Sequence, residues 1–179
     1  RLSGYLMTYA SVGFFVISPD SRRVVYSAPQ DNTDVSDLYV VPIGGGTPLK
    51  LNTPLAPGGD VIYFKISPDA ARVVYSADQQ TDEVYEIFSV PIGGGVVTRL
   101  NGPLTVGGNV QVFAISPDGA RVVYQADQQT DQVSELYSVP IAGGPATRLN
   151  GPLTTGGGAY YPAISPDSAR VVYTADQQM

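Results

Sequence analysis

The string Ile-Ser-Pro-Asp begins at Ile17, Ile66, Ile115 and Ile164, so the chain of 179 residues repeats itself every 49 residues. A period of this length is the mark of a supersecondary unit stacked on copies of itself, and no other feature constrains the fold as much. Residues 66–114 and 115–163 differ at only 15 of 49 positions. Such similarity points to recent duplication or to design.

Within one period, four strand-like runs follow in fixed order at 110–115, 121–126, 133–139 and 146–149, rich in β-branched and aromatic residues. Four short strands per period make one propeller blade. Ser116-Pro117-Asp118-Gly119 joins the first two strands: Pro suits the second position of a type I turn and Gly its fourth. Gly44-Gly45-Gly46, Gly93-Gly94-Gly95 and Ala142-Gly143-Gly144 supply the positive φ that a tight reversal needs between strands three and four. Residues 101–109 then carry the chain to the next inner strand. Fifteen prolines and twenty glycines in a chain that is 43% hydrophobic break the apolar residues into short runs, an all-β composition. Runs such as Arg72-Val73-Val74-Tyr75 are apolar at successive positions, so both strand faces are expected to be covered, as in stacked blades.

Ile-Ser-Pro-Asp-Gly-Ala-Arg-Val-Val-Tyr, followed by Glu-Leu-Tyr-Ser-Val-Pro-Ile-Ala-Gly-Gly and Thr-Arg-Leu-Asn, resembles the repeats of TolB-like propellers, and the resemblance covers essentially the whole chain. That group spans the periplasmic propeller of the Tol system and the propeller domains attached to prolyl-oligopeptidase-type enzymes. The resemblance implies the fold and a periplasmic or extracellular location, and it leaves function open.

The expected architecture is one partial β-propeller domain over residues 1–179, with blades at 11–51, 60–100 and 109–149 and a half blade at 158–179. The chain begins at Arg1, as a processed or excised chain does. Propellers close with about four to eight blades, so about three and a half call for completion, and a head-to-tail homodimer would supply about seven. Residues 5–9, Tyr-Leu-Met-Thr-Tyr, have strand-forming composition. They could pair onto the incomplete last blade, or be a frayed remnant of a preceding one.

The absence of histidine removes the commonest general base and metal ligand, and the absence of cysteine removes disulfides and thiolate chemistry. A serine–lysine mechanism would need Lys50 or Lys65, which no nucleophile-elbow sequence accompanies; both are expected to be solvated. Asp20, Asp69, Asp118 and Asp167 recur in register, as do Arg72, Arg121 and Arg170. One active site has no use for four copies of its acid, so these are assigned to turns, hydrogen bonds and packing. Two acids spaced four apart, Asp78/Asp82 and Asp127/Asp131, suggest calcium, but glutamine and glutamate stand where such loops want alternating acids and glycine. The glycine triplets lack the Lys-Ser/Thr and helix of a phosphate loop. No catalytic, cofactor or metal residue is assigned.

Repeat-specific residues remain: Phe14-Phe15, residues 29–36, and Tyr160-Tyr161-Pro162 against Val110-Gln111-Val112-Phe113. These aromatics either line a ligand-binding mouth or, as is usual on propeller strands, fill the core between blades. A net charge of −6 argues against nucleic acid or an anionic bilayer as partner, and no run approaches the about 20 apolar residues of a spanning helix. The expected role is a non-enzymatic scaffold or protein-binding module that self-associates. The alternatives are an accessory propeller of a larger secreted enzyme and a multivalent small-ligand or carbohydrate binder.

Overall fold

Strand-forming runs separated by Pro, Gly and Asp turns give, in the computed structural model, a succession of small β-meanders. The structure describes Ser3, residues 11–30 and residues 35–178. The first sheet holds β1 (Phe14–Ile17), β2 (Arg23–Ala28), β3 (Asp37–Pro42) and β4 (Leu49–Lys50), in that order. The second holds β5 (Val61–Ile66), β6 (Arg72–Ala77), β7 (Glu86–Pro91) and β8 (Thr98–Arg99). The third holds β9 (Val110–Ile115), β10 (Arg121–Ala126), β11 (Glu135–Pro140) and β12 (Thr147–Arg148). The last, β13 (Ala159–Ile164) and β14 (Val171–Ala175), has two strands among the described residues.

The chain divides into two compact units, one of Arg1–Val84 and Phe88–Thr98, the other of Tyr85–Ile87 and Arg99–Met179. In the first unit, Val25, Leu38, Val40 and Leu51 of the first sheet form one buried cluster with Val61, Phe64, Val73, Tyr75, Phe88 and Ile92. Removing each such side chain from water contributes about 1.5–3 kcal/mol. Val73, Val74 and Tyr75 are all buried although their side chains alternate between faces, so β6 is covered on both sides. In the second unit, β13 packs on β9, β10 and β11.

The turn chemistry explains the strand ends. In each Ser-Pro-Asp turn the fourth residue donates its N–H back to the serine carbonyl, as Gly119 does to Ser116 at 2.8 Å. That residue has positive φ, +73° at Gly119 but also +57° at Ser21, +56° at Ala70 and +60° at Ser168. The glycine triplets turn through Gly45 (φ +92°) and Gly46 (φ +140°), Gly45 donating to the Pro42 carbonyl at 2.9 Å. The first triplet position is not left-handed, which is why Ala142 can stand there.

Two strand boundaries differ from those the sequence suggests. β11 begins at Glu135 rather than at 133, because Gln132 takes φ +62° and Val133 donates to the Thr130 carbonyl, closing one more turn. The fourth strands shrink to two residues, a short outer edge of the kind that resists uncontrolled pairing.

Candidate functional site

The recurring polar residues are engaged in the scaffold. Ser67 Oγ donates to Asp69 Oδ1 at 2.5 Å and accepts from the Arg72 N–H at 2.9 Å, while Asp69 Oδ1 accepts from the Ala71 N–H at 3.0 Å. Ser18/Asp20, Ser116/Asp118 and Ser165/Asp167 repeat the arrangement. The serine hydroxyl first, and the turn amide second, hold all four carboxyls below their ordinary value of 3.8. Arg72 Nε donates to Ser89 Oγ at 2.8 Å, and Arg121 Nε to Ser138 Oγ at 2.8 Å.

A clamp that spacing alone did not suggest recurs at the start of each third strand. Lys50 Nζ lies 2.6 Å from Asp37 Oδ2, Arg99 Nη1 2.9 Å from Glu86 Oε1, and Arg148 Nη1 2.8 Å from Glu135 Oε1. In each case the acid is buried. An asparagine two residues beyond the cation locks the strand: Asn52, Asn101 and Asn150 accept from the N–H groups of Leu38, Ile87 and Leu136 at 2.8–2.9 Å. Lys50, expected to be solvated, is partly exposed and also ion-paired with the buried Asp37. The available signal was the in-register acid together with the Thr-Arg-Leu-Asn ending.

The acid-bearing loops bind backbone. Asp78 accepts from the Asp60 N–H at 2.6 Å on Oδ1 and from the Glu83 N–H at 3.1 Å on Oδ2. Asp127 does the same with Asn109 at 2.6 Å and Gln132 at 3.1 Å. Asp82 and Asp131 lie against Gly58 and Gly107 instead. Among the described residues no group of three or more Asp, Glu, His or Cys side chains could hold a metal ion.

The repeat-specific aromatics divide: Phe113 is buried and Tyr160 half-buried, while the others are exposed. Phe15 is 62% exposed and Tyr161 82%, while Phe14 packs beside Tyr63 and Phe64 with ring centroids 6.3 and 5.1 Å apart. Tyr161 stands out because β13 carries an irregularity between Tyr160 and Ala163 and takes φ +56° there, before Pro162. On the third sheet, Gln111 accepts from Gln125 and, at 2.8 Å, from Ser134, a polar cluster that satisfies itself. Of the 29–36 loop, residues 31–34 lie outside the described residues, as do residues 5–9.

The distinctive feature is β14. Arg-Val-Val-Tyr occurs in four in-register copies, at Arg23, Arg72, Arg121 and Arg170. The central valine is 0% exposed at Val74 and 2% at Val123, but 68% at Val172. β2, β6 and β10 each carry a third strand, whereas no described strand pairs with β14 on its far side. Beside it runs a groove of about 360 Å³, lined by Thr147, Leu149, Ser168, Arg170, Val171 and Tyr173 among others.

Four-stranded antiparallel meanders repeated along a chain define the β-propeller class. Comparison with solved structures agrees. The chain is 25% identical to a putative TolB from Agrobacterium tumefaciens over 93% of its length and 57% of that protein, with a TM-score of 0.61. TolB from Acinetobacter baumannii is similar at 16% identity, covering 91% and 37% (TM-score 0.57), and the tricorn protease at 16%, covering 86% and 14% (TM-score 0.62). No protein-family model matches the sequence, and no curated protein matches it. Among the described residues the chain is a β-propeller segment of three four-stranded sheets and two further strands, similar to TolB and spanning just over half the length of the Agrobacterium protein.

Proposed function

We propose that this segment is a non-enzymatic propeller scaffold that binds protein and associates with a second copy of itself. The observation that carries the reading is the exposure of Val172, a residue type buried at both Val74 and Val123. Val172 lies on a face of β14 that is exposed among the described residues, and an exposed apolar face is one that a second protein surface can cover. The in-register acids and arginines supply turn bonds and ion pairs, which supports a structural use for them. A periplasmic location is proposed with it, on the TolB-like resemblance. Among the described residues no helix is long and apolar enough to cross a membrane.

The test is solution mass by light scattering on a sizing column. A species near twice 18.9 kDa supports self-association, and a folded species at the single-chain mass at all concentrations overturns it. The second reading, an accessory propeller of a larger enzyme, draws on the similarity to the tricorn protease, of which the chain covers 14%. A parent reading frame encoding a hydrolase domain would favour it.

A further inference from the structure

We infer that the groove beside Arg23, between the first and second sheets, is a binding site for a small free carboxylate with a short branched aliphatic body. The groove lies wholly within the first unit and involves neither β14 nor self-association.

The site falls where the repeats differ. Arg23, Arg72 and Arg121 open β2, β6 and β10. In the second and third sheets the arginine is bound to a third-strand serine, Arg72 Nε donating to Ser89 Oγ and Arg121 Nε to Ser138 Oγ, both at 2.8 Å. Ser138 stands opposite Val123, two residues along from Arg121 and so on the same face. The same register in the first sheet puts Val40 opposite Val25. Valine has no acceptor, so the Arg23 guanidinium is released from the bond that its counterparts make. A second exchange accompanies this one. The fourth strand has Leu49 where the other sheets have Thr98 and Thr147, and Thr147 lines the corresponding groove with Arg121 and Ser138. Both polar neighbours of the arginine become aliphatic in the same sheet.

The result is a groove of about 210 Å³ in which, of the lining residues, only Arg23 and Thr47 have polar side chains. Val40 and Ile92 are buried in one cluster beneath it. Leu49 Cδ2 lies 2.8 Å from where a Cβ on Gly94 would stand, so the glycine turn of the second sheet seats this leucine closely. The Arg23 backbone is held on the turn side: its N–H donates to Ser18 Oγ at 2.9 Å, and its carbonyl accepts from the Ser18 N–H at 2.9 Å. Asp20 Oδ1, the acid of that turn, accepts from Ser18 Oγ at 2.5 Å and from the Arg22 N–H at 3.1 Å.

A guanidinium presents paired N–H donors that match the two oxygens of a carboxylate, and apolar surroundings strengthen the pair. Pockets for drug-sized ligands measure about 300–1,000 Å³, so a groove of about 210 Å³ takes a smaller body. The aliphatic lining selects a branched hydrocarbon over a sugar acid, whose hydroxyls would be left unpaired against Val40, Leu49 and Ile92.

The experiment titrates the full chain with 4-methylpentanoate, following the proton–nitrogen NMR signals of the arginine Nε groups and of the Thr47 and Gly93 amides. Saturable shifts at Arg23 Nε and both amides are expected, with Kd on the order of 1 mM. Acetate lacks the aliphatic body and 4-methylpentanamide the charge, and each should bind about tenfold more weakly or worse. Leu49→Thr, at a half-exposed position that is threonine in the other sheets, should weaken binding about tenfold with the fold intact. Val40→Ser gives Arg23 the acceptor its counterparts have, which should move the Arg23 Nε signal without ligand and weaken binding about tenfold. Unsaturable shifts of equal size at Arg22, Arg72 and Arg121 overturn the inference. Equal affinity for acetate, or unchanged affinity in folded Leu49→Thr, overturns it as well.

Discussion

Lys50 Nζ stands 2.6 Å from Asp37 Oδ2 across β3 and β4, with the carboxylate buried and its other oxygen accepting from Asn52 Nδ2 at 2.8 Å. In the second and third sheets the same position is Glu with Arg. Lys50→Met leaves a buried carboxylate short of its cation. The expected loss is about 1–3 kcal/mol, below the about 3–5 of a fully buried pair because the lysine side chain is partly solvated. Asp37→Glu together with Lys50→Arg recreates the other pairs and should cost less than the two single changes summed. Chemical denaturation of the four proteins in a double-mutant cycle measures this.

Ala70 sits at φ +56° where the third sheet places Gly119 at +73°. A left-handed Cβ is strained, so Ala70→Gly should stabilise the protein by about 0.5–1 kcal/mol and Gly119→Ala destabilise it by about 1 kcal/mol. Thermal unfolding of both variants checks the sign, and a loss on Ala70→Gly would contradict it.

Asp20, Asp69, Asp118 and Asp167 have depressed pKa values because serine hydroxyls and turn amides bond the ionised form. Their contribution is present above the ordinary value of 3.8 and is lost as pH falls through the lower folded values. Stability should therefore decline below about pH 4. A variant with all four changed to Asn should show a flatter acid limb in denaturant titrations between about pH 2 and 4.

Burial pushes the Tyr124 phenol up to about 12, and burial likewise raises Tyr75 and Tyr137, the latter also through its bond to Glu135. A raised folded pKa stabilises fully below the ordinary value of 10.0, and that stability is lost as pH rises toward the folded value. Ultraviolet phenolate titration should show these three tyrosines ionising after the exposed ones and together with alkaline unfolding. Ionisation of all twelve tyrosines as one group near the ordinary value, with the fold intact, would count against it.

Much of the fold was legible because each signal is local and occurs more than once. The Ser-Pro-Asp turn, the glycine triplet and the Val-Val-Tyr run each recur, and a fixed spacing between turns sets the strands between them. The acid–cation–asparagine clamp was not legible: Asp37, Lys50 and Asn52 lie 13 and 15 residues apart and meet only when β3 and β4 pair. The boundary of β11 was missed because Gln132 adopts a left-handed φ its residue type does not announce. The exposure of Tyr161 was not legible because it follows from the irregularity in β13, which turns the ring outward.

By itself, then, the sequence determined the period, the meander and the all-β class, since turn chemistry and alternating patterns act over a few residues. Only the tertiary structure decided which copies of one motif are buried. Val74, Val123 and Val172 sit in the same Arg-Val-Val-Tyr string, yet the first two are buried and the last, on an exposed face of β14, is not. Burial depends on which neighbours cover a residue, a long-range property that identical local sequences cannot express.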